Sequence, residues 1–246
     1  MKVEFFAGTE KGLIRERNED AIYSGSNGEF HVLCVADGIG GLNDGDKASH
    51  TVCDRIGSWC ETFTEAEHSG FAEVIESAVS VLQEVNREIY SIGEIPGRCG
   101  STVVLFIIWH DRFAVLSAGD SRAYMLHKHR LTLLTHLDIW DNMPEITMNL
   151  PPEMIKTNRN HGKLTSAVGI HAEMNPNVRT GLLEKNMRFM ICSDGLTKIY
   201  QEKYIKRQLS RIGAWFSVRK CVESSINDVL GKGAPDNVSL IAVRIS

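Results

Sequence analysis

The sequence predicts an α+β fold in which helices pack outside antiparallel sheets, and three observations carry that prediction. Periodic segments follow the order strands, two helices, strands, helices, strand. The runs HVLCVAD and RFMICSD are apolar almost throughout, as in strands covered on both faces. The middle of the chain alternates short apolar runs with turn residues, the mark of antiparallel strands in series.

The elements follow in order. VEFFAG, AIYSG and EFHVLCVAD read as three strands within the first 40 residues. Ala48, Val52, Ile56, Trp59 and Phe63 then recur at helical spacing, with Asn43 or Asp44 placed to cap the helix. Phe71, Val74, Ile75, Ala78, Leu82, Val85 and Ile89 trace the apolar face of a second helix, which the glycine-bearing loop IPGRCG ends. STVVLFIIW, a turn at His110–Arg112, FAVLSAGD, SRAYMLH, a turn at His129–Arg130 and LTLLT form the antiparallel series. Residues 136–163 read as irregular, polar and proline-bearing, a connection long enough to be functional. MRFMICSD is a further strand, 201–230 is helical, and NVSLIAVRI closes the chain as a strand.

Composition narrows the function classes. The chain has 246 residues, 43% hydrophobic and 24% charged, ordinary values for a globular protein, and neither repeat nor linker divides it. One domain over 1–246 is expected. The net charge of −4 and scattered lysines and arginines give no basic track for nucleic acid. The longest apolar run, Val103–Trp109, is far short of the roughly 20 residues that span a bilayer, and the N-terminus lacks the apolar core of a signal peptide. Six cysteines without a CxxC pair read as reduced, buried thiols in a cytoplasmic protein. A monomer is expected.

The chemistry concentrates in carboxylates. Asp37 ends one apolar run and is followed by three glycines within four residues; Asp194 ends another in SDGL; Asp236 precedes the last strand in GAPDNVSL; Glu19 and Asp20 close RERNED; Asp120 stands in AGDSR. Asp-Gly is an ordinary turn dipeptide, which explains each acid taken singly. Yet the flanking runs are apolar into the acid, and strand ends of one core converge. Two carboxylates about 4 Å apart repel by roughly 4 kcal/mol at an effective dielectric near 20, so several stay ionised together only with cations between them. All-oxygen ligation suits Mg²⁺ or Mn²⁺, and glycine lets the Gly38 backbone come close enough to join.

Other residues carry less. His127 and His129 read as an exposed hairpin, and His31 and His110 lack a second ligand at useful spacing. No HExxH, GxGxxG or GxxxxGK[ST] occurs. Cys192 reads as a buried thiol. Trp59, Trp109, Trp140 and Trp215 read as packing, with Trp140 in the irregular segment.

Taken in order, GLIRERNEDA, VADGIGG, GSTVVL, AGDSRAY, LTSAVG, ICSDGL and APDNVSL resemble the metal-dependent serine/threonine protein phosphatases of type 2C, from about Gly12 to Val243. The resemblance implies a four-layer αββα sandwich, two central antiparallel sheets flanked by helix pairs. It implies that Asp37 bridges two Mn²⁺ or Mg²⁺ ions, that Asp194 and Asp236 complete the shell of the first, and that the Gly38 carbonyl, with Asp20 and Glu19 through water, serves the second. It implies Arg15 as the phosphate-holding residue, and Asp120 with Asp194 as a site for a third ion. By the same resemblance a water held by two cations attacks phosphorus in line, without a phosphoenzyme. The implied partners are a phosphorylated protein and a cognate serine/threonine kinase. Where some relatives carry a histidine after the Asp-Gly, this chain has Ile39, so no general acid is assigned. The segment 136–163 fits family patterns poorly where relatives have a flap beside the site. Rival readings are a catalytically silent binding module, an anti-sigma-type regulator and a two-metal nuclease. The four acids Asp20, Asp37, Asp194 and Asp236, the RERNED segment and the acidic balance respectively speak against them.

Overall fold

The computed structural model describes residues 1–40, 44–92, 98–213 and 215–246. Two antiparallel sheets lie face to face. One has the order β1 (Val3–Glu10), β11 (Val238–Ile245), β10 (Arg188–Cys192), β7 (Arg122–His127) and β8 (Arg130–Leu133). The other runs β2 (Asp20–Asn27), β3 (Phe30–Ile39), β5 (Val103–Trp109), β6 (Arg112–Ala118) and β9 (Asn177–Leu182), with the two-residue β4 (Gly100–Ser101) on the end of β3. Helices α1 (Gly45–Thr62) and α2 (Phe71–Tyr90) cover the second sheet. Helices α6 (Glu202–Arg211) and α7 (Val218–Leu230) cover the first. This is the four-layer sandwich expected.

Strand alternation sorts the core into three slabs. On β3, Val32, Cys34 and Ala36 face α1 and α2, while Leu33 and Val35 face the opposing sheet. The middle slab is aromatic at its centre, where Phe189 lies 4.8 Å from Phe106 and 5.2 Å from Phe113 between ring centroids. All six cysteines are buried.

Several expectations are corrected. The antiparallel series is split between sheets: β5 and β6 pair in one, β7 and β8 in the other, so Gly119–Ser121 crosses the sandwich rather than turning a hairpin. Residues 136–163 are not wholly irregular, since they hold the short helices α3 (Pro144–Thr147) and α4 (Pro152–Lys156), each begun by a proline whose fixed φ suits a first helical turn. The helical stretch 201–230 breaks between Arg211 and Val218. Edge strand β9 went unpredicted because its NVRTGL lacks an apolar run. Asp44 occupies the cap position of α1 without a side-chain capping bond, and Asn43 lies outside the described residues, as do the first three residues of IPGRCG. His127 is not exposed: its side chain is 13% accessible and sits 3.5 Å from Glu184. Trp215 does not pack; it is 93% exposed.

Candidate metal and phosphate site

The face of each sheet that looks into the middle slab changes character at one end. Alternation carries Leu33 and Val35 on to Asp37, Ile22 back to Asp20, Phe106 and Val104 back to Thr102, Phe189 and Ile191 on to Ser193, and Ile241 back to Ser239. Polar side chains thus replace apolar ones on the same face of five strands. Several of them are hydrogen-bonded to one another or to the adjoining backbone. The Ser193 hydroxyl donates to Asp20 Oδ2 at 2.7 Å and accepts from the Ser239 amide at 3.0 Å. The Thr102 hydroxyl accepts from the Asp37 amide at 3.0 Å and bonds the Ser121 hydroxyl at 2.8 Å.

Asp20 and Asp37 are directly opposite on β2 and β3. Like charges in that position repel. Burial raises the Asp20 carboxyl to about 6 against the hydrogen bonds from Ser193 and Ser239, with Asp194 and Asp236 adding to the rise. Burial, then Asp20, Asp194, Asp120 and Asp236, push Asp37 well above the usual carboxylate range. Burial and the charge of Asp194 bring Asp120 to about 6. Burial is also the main cause of the rise at Glu19. Asp37 does not end its strand: β3 continues to Ile39, and β4 pairs with that extension.

Two cations answer these acids. Arg15 grips Asp236 with both arms of its fork, Nε to Oδ1 at 2.8 Å and Nη2 to Oδ2 at 3.0 Å, and stands 3.7 Å from Glu19. Lys198, which the sequence reading passed over, follows α5 (Asp194–Thr197) and places Nζ 2.6 Å from Asp194 Oδ2 and 2.6 Å from Asp236 Oδ2. Burial disfavours the Asp236 carboxylate, yet hydrogen bonds and charge from Lys198 and Arg15 outweigh it and hold its pKa below the usual value.

The backbone around the acids leaves no room for side chains. A methyl group on Gly38 would strike the carbonyls of Gly45 and Glu19, and one on Gly195 would strike the Asn237 carbonyl. The Gly38 amide donates to the Glu19 carbonyl at 3.0 Å, which ties RERNED to Asp37. Asn237, also missed, pins the same segment: its Nδ2 donates to the Lys11 and Arg17 carbonyls, both at 2.8 Å, and its Oδ1 accepts from the Glu19 amide at 2.9 Å. Residues 136–163 return to this end as well, where Asp138 accepts from the Gly119 amide at 3.0 Å.

The sequence-expected acids therefore share one electrostatic neighbourhood. Among the described residues, no three potential ligands are drawn tightly about one point. Two of the carboxylates nonetheless already clamp one positive charge, the Lys198 ammonium. With its all-oxygen donors, the cluster fits hard divalent cations.

Known proteins resemble this chain over most of its length. A family model described as protein phosphatase 2C matches residues 14–231. The serine/threonine phosphatase stp of Listeria monocytogenes is 28% identical over 254 residues, covering 96% of this chain and 93% of that protein. The serine/threonine protein phosphatase PstP of Mycobacterium tuberculosis is 23% identical over 252 residues, covering 99% of this chain; the chain spans only 45% of that relative's length. Among solved structures, the S. agalactiae serine/threonine phosphatase superposes with a TM-score of 0.87 at 25% identity, each chain covered fully. The catalytic domain of PstP in complex with two manganese ions superposes at 0.82 with 22% identity, 99% of each chain covered.

Proposed function

Because the chain belongs to the protein phosphatase 2C family, we propose that it is a metal-dependent phosphatase acting on phosphoserine and phosphothreonine in proteins. The observation that carries this reading is the set of acids Asp20, Asp37, Asp120, Asp194 and Asp236 crowded at one end of the middle slab beside Arg15. Sequence similarity to proteins named serine/threonine phosphatases over nearly the whole chain supports it.

In this reading Asp37, the Gly38 carbonyl, Asp194 and Asp236 hold two divalent ions, with Asp20 and Glu19 acting through water and Asp120 with Asp194 open to a third. Such ions, when bound, lower the pKa of a coordinated water toward neutrality and offset the charge of the phosphate. The protein's own residues do the rest. Asp37, anchored through its backbone to Thr102, fixes where the cations stand. Arg15 has a planar, permanently charged fork, and release from Asp236 frees both arms for two phosphate oxygens. Ser193 keeps Asp20 oriented. The proton for the departing serine or threonine oxygen has no assigned donor, since Ile39 is apolar.

The reading extends to one domain over 1–246, with 136–163 as a flap over the Gly119–Asp120 loop, and to a cognate serine/threonine kinase as counterpart. No helix among the described residues is long and apolar enough to cross a membrane. The buried, free cysteines suit the reducing cytoplasm. The test is hydrolysis of a phosphothreonine peptide by wild type with Mn²⁺, by wild type with chelator, and by Asp37→Asn with Mn²⁺. Chelation and the substitution should each lower the rate at least about 1,000-fold, roughly 4 kcal/mol in the barrier. Equal rates in all three would overturn the reading, and Mn²⁺ binding without turnover would favour a silent binding module.

A further inference from the structure

Lys198 does more than balance charge. Its ammonium sits on Oδ2 of both Asp194 and Asp236, the acids that the proposed metal site needs for its first ion, and its charge also reaches Asp120. Arg15 takes the other oxygen of Asp236. A protonated lysine has three donors and no lone pair, so it can bridge carboxylates but cannot share a site with a second cation. A lysine amine is a charged ammonium at neutral pH, so the contact with the two carboxylates is a charged one.

We propose that Lys198 is a tethered competitor of the divalent ion: it holds Asp194 and Asp236 together and must leave them before that ion is bound. The proposal rests on reading the site as a divalent-cation centre. The lysine is built to leave. It directly follows a one-turn helix, its side chain is 46% exposed, and four flexible methylenes let the ammonium swing into water. The consequence is a set point. Metal binding must overcome two charge-assisted hydrogen bonds, so the site fills only at a higher divalent-ion concentration than the same acids would otherwise require. The folded protein, in turn, carries its acid cluster with less repulsion.

The test is calorimetric titration with MnCl₂ of chelator-treated, dialysed wild type, Lys198→Met and Asp37→Asn, with thermal melts of each before metal is added. Lys198→Met keeps an unbranched side chain one atom shorter and removes the charge. It should bind Mn²⁺ at least tenfold more tightly than wild type, about 1.4 kcal/mol, and melt at a lower temperature before metal is added. If it does not fold, Lys198→Gln gives the same comparison. Unchanged or weaker Mn²⁺ binding by the Lys198 variant, with binding lost in Asp37→Asn, would overturn the competitor role and leave the metal site standing. Absence of Mn²⁺ binding in wild type and the Lys198 variant alike would overturn the metal reading itself.

Discussion

The middle of the sandwich and its acid end are built by the same strands and differ in what they contribute. On the inner face of β3, Leu33 and Val35 are fully buried against the other sheet, and two residues further on the same face carries Asp37. On β10, Phe189 and Ile191 lead to Ser193 in the same way. The apolar part releases water from large side chains and is the source of stability. The acid end withdraws charge from water and places like charges together, which opposes folding. The fold thus holds its acids in an arrangement that they would not adopt unaided. Their protonation and cation binding both follow from that.

The largest effect on this balance should come from the apolar side. Phe189 is fully buried and contacts Phe106 and Phe113. Phe189→Ala should cost about 4 kcal/mol in urea unfolding, through lost transfer energy and the cavity left behind. Mn²⁺ affinity of the molecules that remain folded should stay within about threefold of wild type, because Phe189 touches none of the groups that tether the acids, Ser193 at Asp20, Thr102 at the Asp37 amide, and Lys198 and Arg15 at Asp194 and Asp236. A cost below about 1 kcal/mol would mean that stability does not reside in the middle slab.

Asp20 tests the other side with the opposite sign. Its folded pKa of about 6 lies above the ordinary value of 3.8, so the folded protein retains a proton that the unfolded chain has released. Stability should then fall as pH rises from near 3.8 to about 6 and remain lowered above that. The full difference corresponds to about 3 kcal/mol. With chelator present, Asp20→Asn should be more stable than wild type at pH 7 by up to that amount, with little difference at pH 4. Urea unfolding at the two pH values checks it. A variant less stable than wild type at pH 7 would show that the carboxylate is a net stabiliser, and the contrast between the two regions would fail.

Which parts were legible in the sequence follows the same division. The strands and helices that build the slabs announce themselves through apolar period, as in HVLCVAD and in the Phe71–Ile89 face. Asp37 and Asp194 were legible because an acid interrupts such a run, and Asp236 because one directly precedes the last strand. Edge strand β9 has little burial and so no period to read. Lys198 was missed because a lysine one turn after an aspartate is the ordinary pattern of a solvated helix face; only the fold brings Asp236 beside it. Asn237 was passed over as a turn residue, although its place on the inner face, where apolar residues prevail, was a usable signal. The split of the antiparallel series between sheets had no local signature, since Gly119 serves a hairpin turn and a crossing equally well.

Asn237 is also where the two regions are joined, and it supplies the smallest expected effect on stability. It immediately precedes the apolar strand β11 on one side and ties down Lys11, Arg17 and Glu19 on the other. In Asn237→Ala the Lys11 and Arg17 carbonyls belong to exposed residues and regain water, so the loss should be only about 1–2 kcal/mol. The segment carrying Arg15 would lose its bonds to Asn237 while keeping the Leu13 amide on the Ala234 carbonyl at 3.1 Å, Asn18 on the Thr9 hydroxyl at 2.8 Å and the Glu19 carbonyl on Gly38 and Ser49, so it would be loosened rather than freed. Phosphopeptide hydrolysis should therefore show a KM raised about tenfold, roughly 1.4 kcal/mol, with kcat changed much less. Mn²⁺ affinity should stay near wild type, because Asp236 keeps its own partners in Lys198 and Arg15. A variant that loses Mn²⁺ binding together with stability would place Asn237 among the supports of the acids themselves. One that lowers kcat alone would show that the segment does not position Arg15 for binding.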